Sequence, residues 1–131
     1  MGAWGAGSFD NDDASDWVWE LEDAKSLEPV LNALEAIENG GDYLQAPDCS
    51  IAIAAAEVVA AIFGKGADSL PESLVEIAQS LSETAPGTLR SRAGAVVLRI
   101  KTDSELRDLW QESGALDEWT TAVDDLLTRL Q

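Results

Sequence analysis

The sequence predicts an all-α fold, a compact single-domain bundle of about six to seven helices. Three observations support this prediction. Apolar residues recur every three or four positions along most of the chain, which is the period of an amphipathic helix. Alanine is used heavily, whereas phenylalanine, tyrosine and proline are sparse, with 2, 1 and 4 copies. The connections between the periodic segments are short, as they are in helical bundles.

The N-terminal residues 1–9 are rich in glycine and carry Trp4 and Phe9. A disordered tail has few aromatic side chains, because it cannot bury them. We therefore predict an anchoring segment that packs on the bundle through these two residues. Asn11 or Asp13 is expected to cap the first helix, which runs to about Lys25.

Six further segments have helical periodicity, and most of them begin or end at a recognisable signal. The segment 49–63 is apolar almost all round, so it is predicted to be the central helix. Its one charge, Glu57, is expected either at an exposed edge or paired with an arginine, and the alternative is a partly buried carboxylate with a raised pKa. The predicted ranges are about 27–39, 49–63, 70–83, 87–101, 103–113 and 116–130.

Local signals refine these boundaries. Asp48 is expected to cap the central helix. Ser69 with Glu72, and Thr102 with Glu105, have the spacing of a capping box. Gly94 lies inside the fifth helix, where glycine costs about 1 kcal/mol relative to alanine. We interpret Gly94 as the site of a close helix crossing.

Length and charge limit the classes of function. The chain has 131 residues, which predicts one domain over 1–131, and its net charge is −17. Binding to nucleic acid requires Lys and Arg to neutralise phosphates, and anionic membranes require the same. We therefore expect no nucleic acid and no membrane as partner. The charge favours a solvated acidic surface or a basic protein partner.

Cysteine and histidine usage limits the chemistry further. Cys49 is the one cysteine and the chain has no histidine. Disulfides within the chain, His-based triads and histidine metal sites are thereby excluded. The N-terminus lacks the basic and apolar regions of a signal peptide, and the apolar run 51–63 is too short to span a bilayer. These features predict a cytoplasmic protein, and no cofactor is expected.

Two clusters of charge are candidates for binding. The acidic turn carries weak candidates for a metal site, although it lacks a calcium-loop pattern, and helix capping with a solvated acidic turn is the favoured interpretation. The cations of the fifth and sixth helices form either local ion pairs or an island for an anionic ligand or acidic peptide. The metal candidates are Asp10, Asp12, Asp13 and Asp16, and the cations are Arg90, Arg92, Arg99, Lys101 and Arg107.

The tryptophans divide by helical phase. Trp17, Trp110 and Trp119 are in phase with the apolar stripes of their helices, so they are predicted to be core anchors. Trp19 is out of phase and shares a side with Asp16, Glu20 and Asp23. It is either buried beneath residues 1–9 or exposed as an interface anchor.

Two motifs carry a family resemblance. The first is Gly2-Ala3-Trp4-Gly5 with Gly7, Phe9, Asn11-Asp12, Ala14 and Asp16-Trp17, and the second is Ser104 to Trp110 followed by Asp117-Glu118-Trp119. Together they resemble a family of small bacterial proteins of unknown function. The resemblance covers nearly the whole chain. It implies a helical bacterial protein and brings no activity, cofactor or catalytic residue.

Three classes of function fit these observations. A non-enzymatic protein-interaction module fits the small size, the charge and the out-of-phase Trp19, and one version is an acidic inhibitor or immunity protein for a basic toxin or nucleic-acid enzyme. A small carboxylate-based enzyme or a metal- or ligand-binding protein is the second class. A structural role, with no specific ligand, is the third. Self-association, cationic patch to acidic face, is a further alternative.

Overall fold

The computed structural model describes residues 7–68 and 70–131, which form an all-α single domain. The predictions for Trp4 and Ser69 therefore lie outside the described residues. Seven helices are present in the described part of the chain. They are α1 (Asp12–Ala24), α2 (Glu28–Glu38), α3 (Ala46–Ile62), α4 (Glu72–Leu81), α5 (Leu89–Thr102), α6 (Glu105–Ser113) and α7 (Leu116–Arg129).

Helix α3 is the centre of the bundle, as its all-round apolar sequence predicts. It packs against each of the other six helices, and most of its residues are buried. It begins at Ala46, three residues before the predicted start. Pro47 lies in its first turn, where the missing N–H of proline costs nothing. Asp48 is therefore a first-turn residue, and the prediction that it caps the helix is wrong.

The start of α6 also differs from the predicted capping box. Ser104 is the N-cap, and its Oγ accepts the N–H of Arg107 at 3.1 Å. Thr102 is the last residue of α5, and its hydroxyl donates to the carbonyl of Leu98. Glu105 accepts the backbone N–H of Ala46 at 2.8 Å. The carboxylate thus satisfies an N–H of the first turn of α3 instead of capping its own helix.

The predicted core anchors lie in the core wherever the structure describes them. Trp17, Trp110 and Trp119 are buried, and Phe9 is half-buried against the same hydrophobic core. Gly94 does not mark a close crossing, because a Cβ added there would meet only the Cβ of Leu130, at 4.0 Å. That distance is an ordinary van der Waals contact.

The helices divide around α3 into two sides. Helix α1 packs against α2, α3 and α4, whereas α5 packs against α2, α3, α6 and α7. Helices α1 and α5 do not contact each other. None of the helices in the described part of the chain combines the length and apolar character needed to cross a bilayer.

Candidate protein-interaction site

The outer face of α1 is set by how this helix is held at its start and along its inner face. The side chain of Asn11 accepts the N–H of Ala14 at 2.8 Å, which satisfies a free donor of the first turn. Ala14, Trp17 and Leu21 are buried against the core. Because a helix turns by about 100° per residue, the opposite side of α1 faces solvent.

Trp19 lies on this outer face and 74% of its surface is exposed. Of the two alternatives left by the sequence, exposure is therefore the one observed. Asp16 and Asp23 stand three residues before and four residues after it, which places them beside it on the helix surface. Glu20 follows on the flank. The four interface candidates therefore do lie together on one side of α1.

Sequence reasoning did not group Asp12 with these interface candidates. Asp12 stands seven residues before Trp19. Its spacing places it within about 60° of Trp19, Asp16 and Asp23 around the helix axis. The two-turn interval was visible in the sequence and could have identified it. We call the exposed set Asp12, Asp16, Trp19, Glu20 and Asp23 the α1 outer face.

The charge of this face is uncompensated within the structure. Helix α1 contains no Lys or Arg, and its acids are Asp12, Asp13, Asp16, Glu20, Glu22 and Asp23. The ion pairs found among the described residues involve none of them. Lys25, which caps the C-terminal end of α1, is the nearest cation along the chain. The face is therefore a negative surface around one exposed aromatic ring.

A surface groove of about 340 Å³ runs between α1 and α4, beside the α1 outer face. Glu22 and Lys25 line it from α1, and Glu76 and Ile77 line it from α4. Glu22 is three residues after Trp19, so the groove continues the negative surface toward α4. Helix α4 adds Glu72 and Glu76 and no cation.

The metal candidates of the acidic turn have structural roles or face solvent. Asp10 accepts the N–H of Gly7 at 3.2 Å and closes the turn before α1. Asp12 and Asp13 lie in the first turn of α1, where the helix dipole favours negative charge. Among the described residues, no three acidic or thiol side chains are grouped so that they could hold a metal ion.

The cations of α5 and α6 do not form a single island. Arg92 forms a bidentate ion pair with Glu38, and Lys101 pairs with Asp124 at 2.6 Å. The hydrogen bond from Arg92 lowers the pKa of Glu38. These contacts agree with the local-pairing interpretation.

The other three cations are dispersed. Arg99 donates to the backbone carbonyls of Ile37 and Gly41, at the C-terminal end of α2 and the loop after it. Arg90 lies 5.5 Å from the centroid of the Phe63 ring, a cation–π distance. Arg107 lies on α6. The helical interval from Arg90 to Lys101 spans about 16 Å, so these charges are spread along the bundle.

Glu57 is the one buried carboxylate among the described residues, with 6% of its surface exposed. It pairs with Arg129 of α7 at 2.7 Å and accepts the hydroxyl of Ser8 at 2.7 Å. Arg129 also binds Asp125 and the carbonyl of Lys65. Of the alternatives left by the sequence, pairing with an arginine is observed, and the carboxylate is buried and not at an exposed edge. The network joins the residues before α1, the central helix and α7.

Two further features bear on catalysis and ligand binding. Burial raises the pKa of the Cys49 thiol to about 12, so it is protonated at neutral pH and is a poor nucleophile. A pocket of about 130 Å³ lies among α3, α6, α7 and the residues at the start of α1, and Asp13, Trp110 and Trp119 are part of its lining. Sites for ordinary small-molecule ligands have about 300–1,000 Å³. This pocket is therefore smaller than an ordinary small-molecule site.

Comparison with known proteins identifies the family and no closer relative. No curated protein and no solved structure matches the chain. The model of a family described as "Domain of unknown function (DUF4259)" matches residues 2–122. This range includes the N-terminal motif and the second motif through Trp119. The chain therefore belongs to this family, a domain of unknown function.

Proposed function

We propose that this protein is a non-enzymatic interaction module of the cytoplasm that binds a basic protein through the α1 outer face. The observation that carries the proposal is Trp19, a large aromatic ring that is 74% exposed on a helix rich in unpaired carboxylates. Tryptophan is enriched at the energetic centres of protein interfaces. Complementary charge accelerates association and selects the partner.

The arrangement of the acids supports binding more than catalysis. Acid–base chemistry by carboxylates uses a group whose environment shifts its pKa, commonly by burial. Glu57 is the buried carboxylate of the described chain, and both of its oxygens are engaged by Arg129 and Ser8. The exposed acids of α1 are solvated, and together they form a negatively charged surface that a partner can bind.

The proposal is tested by capture of partners from a lysate of the native host. The bait is the wild-type protein, and the test variant is Asp16→Asn/Glu20→Gln/Asp23→Asn. The matched control, Glu112→Gln/Asp117→Asn/Glu118→Gln, removes three exposed charges on α6 and α7. We expect a basic protein that the wild type and the control retain at about 0.1 M salt, where the Debye length is near 10 Å.

The test variant should lose this partner, and salt near 0.5 M should release it from the wild type because exposed charges are screened. Trp19→Ala should lose it as well while keeping the wild-type melting temperature, since the ring has little burial to lose. Equal capture by the test variant and the control would contradict the proposal.

A further inference from the structure

We infer that the α1 outer face recognises arginine side chains, so that its partner presents an arginine-rich segment whose guanidinium group stacks on the indole of Trp19. This inference rests on the proposed function and names the chemistry of the partner. The inference depends on the position of the Trp19 ring among the carboxylates. This position favours arginine over other side chains.

The surroundings of Trp19 disfavour an apolar ligand. Asp16 and Asp23 stand on either side of it along the helix, and Glu22 lies toward α4, where it lines the groove. An aliphatic side chain placed on the ring would bring carboxylates out of water without a partner, which is costly. A cation placed there contacts the negative face of the ring and lies close to carboxylates.

Arginine satisfies this arrangement better than lysine does. Its planar guanidinium stacks on an aromatic face while its N–H groups remain free to donate to neighbouring carboxylates. A lysine ammonium is compact and strongly hydrated, and it cannot bind two carboxylate oxygens in a fork. Both residues carry the same charge, so the net charge of the face does not discriminate between them, whereas stacking on the ring and forked hydrogen bonds to carboxylates do.

The length of the face indicates a segment with several arginines. Asp12 and Asp23 are separated by about 16 Å along the helix axis. Side chains on one side of an extended peptide repeat at about 6.6 Å. Three arginines at alternate positions span about 13 Å and therefore cover most of the length of the face. The second-copy alternative is disfavoured, because three of the five cations of α5 and α6 are engaged within the chain: Arg92 and Lys101 in ion pairs and Arg99 with backbone carbonyls.

The test uses two labelled eight-residue peptides that carry arginine or lysine at every second position. Binding to the whole protein is measured by fluorescence anisotropy at about 50 mM salt. We expect the arginine peptide to bind the wild type about fivefold more tightly than the lysine peptide, consistent with the strength of an exposed cation–π contact. Trp19→Ala should reduce this preference to about twofold or less, because only the forked hydrogen bonds to carboxylates then favour arginine, and should change the affinity for the lysine peptide by less than about twofold.

Two controls isolate the ring. Tyr43→Ala removes another exposed aromatic residue, 51% exposed in the loop after α2, and should keep the fivefold preference. Trp19→Phe keeps an aromatic face and should retain part of it. Equal affinity of the wild type for both peptides, or a preference that is undiminished in Trp19→Ala, would overturn the inference about arginine.

The proposed function fails in a different way. Asp16→Asn/Glu20→Gln/Asp23→Asn should weaken both peptides about tenfold, and Glu112→Gln/Asp117→Asn/Glu118→Gln should weaken both much less. If the two triple variants weaken the peptides alike, binding is a general effect of the net charge and the α1 outer face is not the interface. If the wild type still preferred the arginine peptide in that case, an aromatic ring outside the α1 outer face would have to provide the preference.

Discussion

At the scale of single residues, Glu57 combines a buried charge with contacts to three parts of the fold. We predict that Glu57→Ala lowers the free energy of unfolding by about 2 kcal/mol, because the largely buried Arg129 and Ser8 lose their partner. The value is below that of a fully buried pair because Arg129 keeps Asp125. Urea unfolding followed by circular dichroism measures the loss.

Asp125 provides the control for this prediction. It also binds Arg129, at 2.9 Å, but its side chain is mostly exposed. Exposed pairs four residues apart on a helix contribute about 0.3–0.5 kcal/mol, so Asp125→Ala should have a small effect. If the two variants lower stability equally, the burial of Glu57 is not what makes its ion pair strong.

At the scale of helices, α5 contains a glycine that its packing does not require. A Cβ at Gly94 would make one ordinary contact, with Leu130. We predict that Gly94→Ala raises the free energy of unfolding by about 0.5–1 kcal/mol, since alanine loses less backbone entropy on folding. Thermal and urea unfolding of the variant measure the gain.

Gly114 shows the opposite case. It ends α6 with φ +82, a left-handed conformation that disfavours side chains. Gly114→Ala should therefore lower stability by about 1 kcal/mol. A loss of stability in Gly94→Ala would instead restore the sequence-based interpretation of a close helix crossing.

The helices show which features a sequence can predict. Periodicity located the central helix and the inward positions of Trp17, Trp110 and Trp119, because it reflects a local pattern. The out-of-phase position of Trp19 left exposure and burial open, since both depend on what covers α1. The start of α6 was misplaced because Glu105 bonds to Ala46, 59 positions away. Contacts of that kind are decided by tertiary packing.

The candidate site follows the same division. Asp16, Glu20 and Asp23 could be grouped with Trp19 because helical spacing alone brings them together. The groove toward α4 could not be found, since Glu76 reaches Glu22 only through the packing of α1 on α4. The cations of α5 are close in sequence, which suggested that they form a cationic island. Glu38 and Asp124, both distant in sequence, pair with two of them.

At the scale of the whole molecule, charge is divided between the two sides of α3. Helix α5 carries Arg90, Arg92, Arg99 and Lys101 and no acid, and it packs beside α7, which supplies Asp124. Helices α1 and α4, on the other side, carry acids alone. Negative charge is therefore partly compensated by cations on the side of α5 and α7. Repulsion among carboxylates is concentrated on the side of α1 and α4, which is proposed to bind the partner.

This distribution leads to opposite effects of salt on folding and on binding. The net charge of −17 opposes the compact state through repulsion, which salt screens as the Debye length falls from about 30 Å at 0.01 M to about 10 Å at 0.1 M. We predict that the melting temperature of the free protein rises by several degrees between 0.01 and 0.3 M NaCl. Calorimetry over this salt series measures the melting temperature. Repeating the series with choline chloride separates screening from an effect of a specific cation.

The variant Asp16→Asn/Glu20→Gln/Asp23→Asn should melt higher than the wild type at 0.01 M salt and gain less from added salt, because part of the repulsion is already removed. Over the same salt range, binding of the arginine peptide should weaken, since the attraction between the α1 outer face and a cationic segment is screened. A melting temperature that falls as salt is added would mean that ion pairs outweigh repulsion in the folded chain. The acids of α1 would then stabilise the fold, and their retention on an exposed helix would need no partner to explain it.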